Sequence, residues 1–395
     1  RFYAEKTLEK LVSIESKGKL TLKLKNVSFT YSLNELNLDD IQIESVTDSS
    51  SVASYQFKVK NLNIRTKSLW DFARYKKLEI DNFSISEPET TITLLKKKTS
   101  SKKEVSLPEE IGQVYDGIRK GLSLLQVKRF ETNEGTFSLQ NNMIPDSKPI
   151  TVSHIQLIVD NLKIDSAGVD NKDKFLNSDS VIVRIFNQQF TMPDGKHSLG
   201  FSRFRFNSGL RLIEIDSCSF NRLPNDENTS YFNLFFDTLK LANLDMLKLY
   251  QENKVQADSA YCTNPSFTGF LASVAKKDTT NTLTKKISVK KLSEYRDLLF
   301  DIKYVGILNA HLNLSKQIND KQTHFKSAKN DFVIYGFRSA DTTTGKINID
   351  SIKLNLVENI LYTTDSTYAI RFKDIVIRND QLILDSLQIT NEKYS

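Results

Sequence analysis

Apolar residues at i, i+2, i+5 and i+7, with a polar pair where the alternation slips, recur along this chain and constrain its fold more than any other feature. The clearest instance is 78–85, LEIDNFSI. Leu78, Ile80, Phe83 and Ile85 are apolar, and Asp81 with Asn82 fill the slip. The strict pattern also occurs at 22–29, 36–43, 57–64, 150–157, 199–206, 213–220 and 347–354. The composition would give roughly one such match by chance. Relaxing the polar slots adds 157–164, 234–241, 255–262, 370–377 and 382–389.

A five-residue step between apolar pairs puts them on opposite faces of a regular strand. One extra residue at the polar pair, a β-bulge, returns them to the same face. A series of bulges bends and twists its strands, so the expected fold is mainly β: an elongated, curved antiparallel sheet, a half-pipe or groove, with a few short helices. Two other readings stay open. The polar pair could be a two-residue hairpin turn between short arms, or the strand could run straight with both faces buried.

The chain also repeats at long range. Gly18-Lys19 and Gly195-Lys196 are 177 residues apart, and the same offset relates Asp39 to Asp216, Ile43 to Phe220, Asp81 to Asp258 and Pro88 to Pro265. It spans a helical insert, 68–75 with 245–252. After each proline come a Lys/Ser/Thr-rich loop, a helix-like stretch (109–125 and 292–300) and a strand (133–139 and 309–314). Further on, the offset shrinks to about 171. The resulting division is an amphipathic helix over 1–17, repeats over 18–194 and 195–365, and the start of a third over 366–395. Such an array suits an extended repeat architecture better than one closed barrel.

The chain has 395 residues, 39% hydrophobic and 26% charged, with 13 Gly and 7 Pro, which excludes long low-complexity linkers. Its net charge of +7 comes from 55 basic against 48 acidic residues. The densest lysine runs, at 96–103 and 276–291, lack interleaved aromatics that could stack bases, so no nucleic-acid partner is expected. No stretch approaches the roughly 20 apolar residues of a membrane span. Arg1, rather than Met, at the start suits an excised or processed fragment.

No catalytic constellation stands out, and neither an enzyme activity nor a cofactor or metal is expected. His154, His197, His311 and His324 are scattered, without the spacing of a zinc helix. His154 fills a bulge slot and reads as a surface residue. The recurrent slip Asp reads as structural, its oxygen accepting from a local backbone N–H. Cys218 and Cys262 fill apolar slots equivalent to Ile41 and Ile85 and read as small hydrophobes, pairable only if their strands are neighbours. Trp70 and Phe72 read as anchors of a short helix to the sheet.

The helix-then-strand opening (Leu8, Leu11, Gly18, Leu20, Leu22), VKNLNI at 59–64, LEIDNFSISEP at 78–88, the short helix near Leu69 and NEGTFSL at 133–139 together resemble the AsmA-like family of bacterial envelope proteins, similar to the TamB and bridge-like lipid-transfer group. The resemblance implies a chain at the periplasmic face of the inner membrane, anchored by a helix upstream of Arg1. An apolar β-groove would carry phospholipid acyl chains between the inner and outer membranes, with an outer-membrane partner possible.

From the pattern alone, a stacked β-sandwich, as in an adhesin or an assembly scaffold, competes with the open groove. The resemblance favours the groove. Its expected lining in the first repeat is Leu22, Leu24, Val27 and Phe29, then Leu36, Leu38, Ile41 and Ile43, then Leu62 and Ile64, then Leu78, Ile80, Phe83 and Ile85. In the second repeat it is Phe204, Phe206, Ile213, Ile215, Phe220, Leu239, Leu241, Val255, Ile352 and Leu354.

Overall fold

The computed structural model describes residues 2–30, 32, 34–48, 51–68, 71, 74–95, 107–143, 149–165, 174–192, 195–222, 230–271, 299–318, 321–339, 347–362, 367–378 and 381–391. Trp70, Phe72, both lysine runs and the stretch 292–298 lie outside them. The fold is mainly β. The chain divides into two compact units, Arg1–Pro193 with Phe204–Leu210, and Asp194–Arg203 with Arg211–Ser395.

The first unit opens with helix α1 (Phe2–Glu15), which packs on β1 (Leu20–Lys23) and β2 (Asn26–Phe29). Both short strands pair with β3 (Glu35–Ser45), which pairs with β4 (Ala53–Thr66). The next strand is likewise broken. β5 (Lys77–Ser86) and β6 (Glu89–Leu94) both pair with β4. Helix α2 (Leu107–Gly121) then carries the chain back to β7 (Leu124–Asn141), which runs parallel to β5 and β6. β8 (Ile150–Asp165) and β9 (Ser180–Thr191) complete the ladder antiparallel.

The second unit repeats this plan. Its strands are β10 (His197–Asn207, of which 197–203 belong here), β11 (Leu212–Arg222), β12 (Tyr231–Ala242), β13 (Lys254–Thr263), β14 (Ser266–Leu271) and β15 (Leu299–Ile318). There follow β16 (Lys321–Ser339), β17 (Ile347–Asn348), β18 (Ser351–Tyr362), β19 (Tyr368–Arg378) and β20 (Gln381–Asn391). The insert between β12 and β13 is helix α3 (Met246–Glu252), capped by Asp245, whose carboxylate accepts from the Lys248 N–H, and closed by Asn253 in the left-handed region.

Pairing departs from the antiparallel expectation at one kind of place. β5 and β6 run parallel to β7, and β13 and β14 run parallel to β15. A parallel step needs a crossover of a dozen or more residues, and the stretch between β6 and β7, which includes helix α2, is long enough.

All but two of the slip segments lie within single strands; 22–29 and 347–354 straddle breaks. The polar pair is therefore a bulge or a break and not a hairpin turn. At 78–85, Arg65 faces Asn82 but Thr66 faces Ile80, so Asp81 is the extra residue. Between β7 and β8, one bulge in each strand cancels the other: Thr132 faces Leu157, Gly135 faces Ile155 and Phe137 faces Val152. β15 and β16 repeat the compensation at Ile307/Phe332, Ala310/Asn330 and Leu312/Ser327.

Bulge residues take the left-handed conformation, among them Asp40, Glu134, His154, Asn161, Ser217, Asn309 and Lys329. At offset 177, Asp40 matches Ser217, Lys76 matches Asn253 and Glu87 matches Asn264, so backbone conformation repeats along with the sequence.

The slip Asp residues bond differently from expectation. Asp39 accepts the side-chain amides of Asn26 (2.9 Å) and Asn61 (2.7 Å) from the two flanking strands. Asp216 accepts from Arg203 and Thr238, and Asp237 from Asn264. Aligned bulges interrupt the backbone ladder on neighbouring strands together, and side chains bridge the gap. Buried Gln188 does the same for β8 and β9, where its amide donates to the Ser153 carbonyl and accepts from the Ser153 N–H.

Candidate functional site

The apolar slots of each unit form rows that cross the strands on one face. In unit 1, Phe29 faces Leu36, Leu36 faces Ile64, Ile64 faces Phe83, Phe83 faces Phe130, Phe130 faces Val159 and Val159 faces Val181. A second row runs Val27, Leu38, Leu62 and Ile85, then Thr132, Leu157 and Val183. Leu22, Ile43 and Phe57 align beyond the bulges, as do Ile41 and Val59. Ile41, Val59 and Ile85 form a buried cluster against which Leu22, Leu38, Ile43, Phe57, Leu62, Phe83 and Phe130 pack.

That cluster joins residues from both sides of a slip, Leu38 with Ile41 on β3 and Val59 with Leu62 on β4. The bulges therefore keep both apolar pairs on one face. Leu78 pairs with Leu125 and Ile80 with Val127 on the same face, and Leu24 stands half-buried at the break after β1.

In unit 2, Ile215 faces Leu239, Leu239 faces Cys262, Cys262 faces Ile307, Ile307 faces Phe332 and Phe332 faces Leu354. The next row is Ile213, Leu241, Ala260, Val305, Ile334 and Ile352. Val255 is buried opposite Phe300. Phe204 and Phe206 belong to the stretch grouped with unit 1, where Phe206 packs its ring on Phe175 at 5.6 Å.

Much of this face stays open. Phe29 is 49% exposed, Phe232 44% and Ile352 39%, against 2% for Val59 at the centre of the unit 1 cluster. Across β3 and β4 the opposite face is polar. In unit 1, the Asn63 amide reaches Glu35 and Asn37, and Gln42 and Gln56 both donate to Glu44, whose carboxyl they hold below its ordinary range.

Several residues on the apolar face were not foreseen. In unit 2 an aromatic strip crosses β10 to β14: His197 stacks on Phe220 at 5.2 Å, Phe220 on Phe232 at 5.4 Å and Phe232 on Phe267 at 5.9 Å. Extending the slip pattern two residues past each end would have found His197 and Phe232. Polar Ser327, Asn330 and Asn359 occupy apolar slots and are buried. The Asn330 amide donates to the Ala310 carbonyl at 3.0 Å, another side-chain bridge at a bulge.

Cys218 and Cys262 are both free thiols, and their strands are separated by β12. Burial, with a smaller contribution from Cys218, pushes the Cys262 thiol up to about 11. Such thiols are poor nucleophiles. His154 sits exposed at its bulge, 2.7 Å from Glu134. Among the described residues no group of His, Cys, Asp and Glu could hold a metal ion, and no helix is long and apolar enough to cross a membrane.

No family model matches the chain, and no curated protein matches it in sequence. Among solved structures, the sex pheromone staph-cAM373 precursor is similar over 88% of this chain and 92% of that one, at 10% identity and a TM-score of 0.15. That score is too low to support a shared fold.

Proposed function

We propose that the apolar faces of the two units hold the acyl chains of phospholipids, and that the chain is a non-enzymatic segment for lipid transfer between membranes, as its resemblance to the AsmA-like family implies. The observation that carries this reading is the exposure of the apolar rows. A closed sandwich would bury Phe29, Phe232 and Ile352, whereas these stay more than a third exposed. An acyl chain lying along such a row gains about 0.8 kcal/mol per CH2 removed from water and needs no directional contacts. The aligned bulges support the reading too, because they bend strands toward a trough.

Lipid extraction and native mass spectrometry of the purified protein test this. Phospholipid should co-purify, and Phe83→Asp should lower its occupancy several-fold, with the fold intact by circular dichroism. Repeated isolation free of lipid, from membranes rich in it, counts against the proposal.

A further inference from the structure

The rim of the apolar face in unit 2 carries chemistry that its counterpart in unit 1 lacks. Leu20 faces Ser45 at the end of the β1–β3 ladder. At offset 177 the equivalents are His197 and Arg222. The Ser198 hydroxyl donates to the Asn221 carbonyl at 3.4 Å, and His197 stacks on Phe220, both in keeping with the same register on β10 and β11. That register sets His197 opposite Arg222 on the apolar side, two residues beyond Leu199 and Phe220.

Next to them lies the aromatic strip. His197 stacks on Phe220 and leans toward Phe232 at 6.3 Å. The Arg222 guanidinium donates to the Ser230 carbonyl at 3.1 Å, a bond that holds the side chain at the strand end. A guanidinium has five N–H donors in a fork that fits phosphate oxygens, and an imidazole adds another donor. Donors at a rim, with an open apolar strip running inward from them, match an amphiphile that has an anionic head and a hydrocarbon body.

The geometry points to a head-group subsite at His197 and Arg222 that takes the phosphodiester of a phospholipid whose acyl chain lies along Phe220, Phe232 and Phe267. It rests on the acyl-chain reading above and adds polarity to it: the lipid head sits at the β10–β11 rim.

The test is binding of dioleoyl phosphatidylglycerol and of dioleoylglycerol, which lacks the phosphate, to the full chain in neutral detergent micelles. The wild-type protein should prefer the phospholipid about tenfold. The double variant His197→Leu/Arg222→Ser, which installs the residues found at the unit 1 rim, should lose that preference while binding dioleoylglycerol as before. Arg222→Gln alone should lose most of it, and serves if the double variant is unstable. Equal binding of both lipids by the wild type, or a preference that survives the substitutions, overturns the subsite and leaves the acyl-chain reading standing. Binding of neither lipid overturns both.

Discussion

The Asn61 side chain donates to Asp39 across the β3–β4 ladder at 2.7 Å, at the place where both strands slip. Asn26 donates to the other oxygen of the same carboxylate. One acidic side chain thus ties three strands where the backbone ladder is interrupted.

Replacing Asp39 with Ala strands two partly buried amide donors. The expected cost is about 1–3 kcal/mol, read as a lower urea midpoint at unchanged slope. A loss below about 0.5 kcal/mol would show that water replaces the bridge without penalty.

Gly336 is left-handed at φ +62°, and a Cβ there would run into the Asp350 carboxylate, which also pairs with Arg338. Gly336→Ala should destabilise the protein by about 1–3 kcal/mol through backbone strain and displacement of Asp350. The double variant with Asp350→Ala should recover part of that loss. Equal stability of Gly336→Ala and wild type would refute the close approach.

The carboxyl of Asp179 is held below its ordinary 3.8, first by the Lys174 ammonium and then by the Asn161 amide. A lowered folded-state pKa contributes stability that is fully present above the unfolded value and is lost as pH falls through the folded one. The melting-temperature gap between wild type and Asp179→Asn should therefore be constant near neutrality and close below about pH 3.8. A gap that persists at pH 2 would contradict the assignment. Asp179 is about half exposed, so screening keeps the effect small.

Native Cys262 should alkylate slowly at pH 8. With its thiol pushed up to about 11, roughly one part in a thousand is thiolate. Bound phospholipid should slow labelling further, because Cys262 shares a row with Ile215, Leu239 and Ile307. Labelling as fast as in the urea-unfolded chain would remove Cys262 from a shielded apolar face.

Much of the sheet was legible because a half-buried strand writes its faces into the sequence with period two, and a bulge leaves a readable slip. The pattern at 36–43 and 213–220 placed Leu38 with Ile41 and Ile215 with Cys218 on one face without any long-range information. The parallel return of β7 was not legible, since Leu125, Val127 and Phe130 alternate in the same way whether their neighbour runs parallel or antiparallel. The bonding of Asp39 was also hidden. A side chain at a slip can accept locally or across strands, and only the alignment of the β1–β2 break with the slips on β3 and β4 decides between them. His197 and Arg222 escaped notice because each lies one alternation beyond a pattern that had already been satisfied.

Photocrosslinking tests the central claim most directly. A benzophenone side chain placed at Phe83 or Ile215, on the apolar rows, should capture phospholipid from membranes, while the same group at Glu79 or Glu214, on the opposite face, should not. Capture at Glu79 and Glu214 but not at Phe83 and Ile215 would contradict the acyl-chain account.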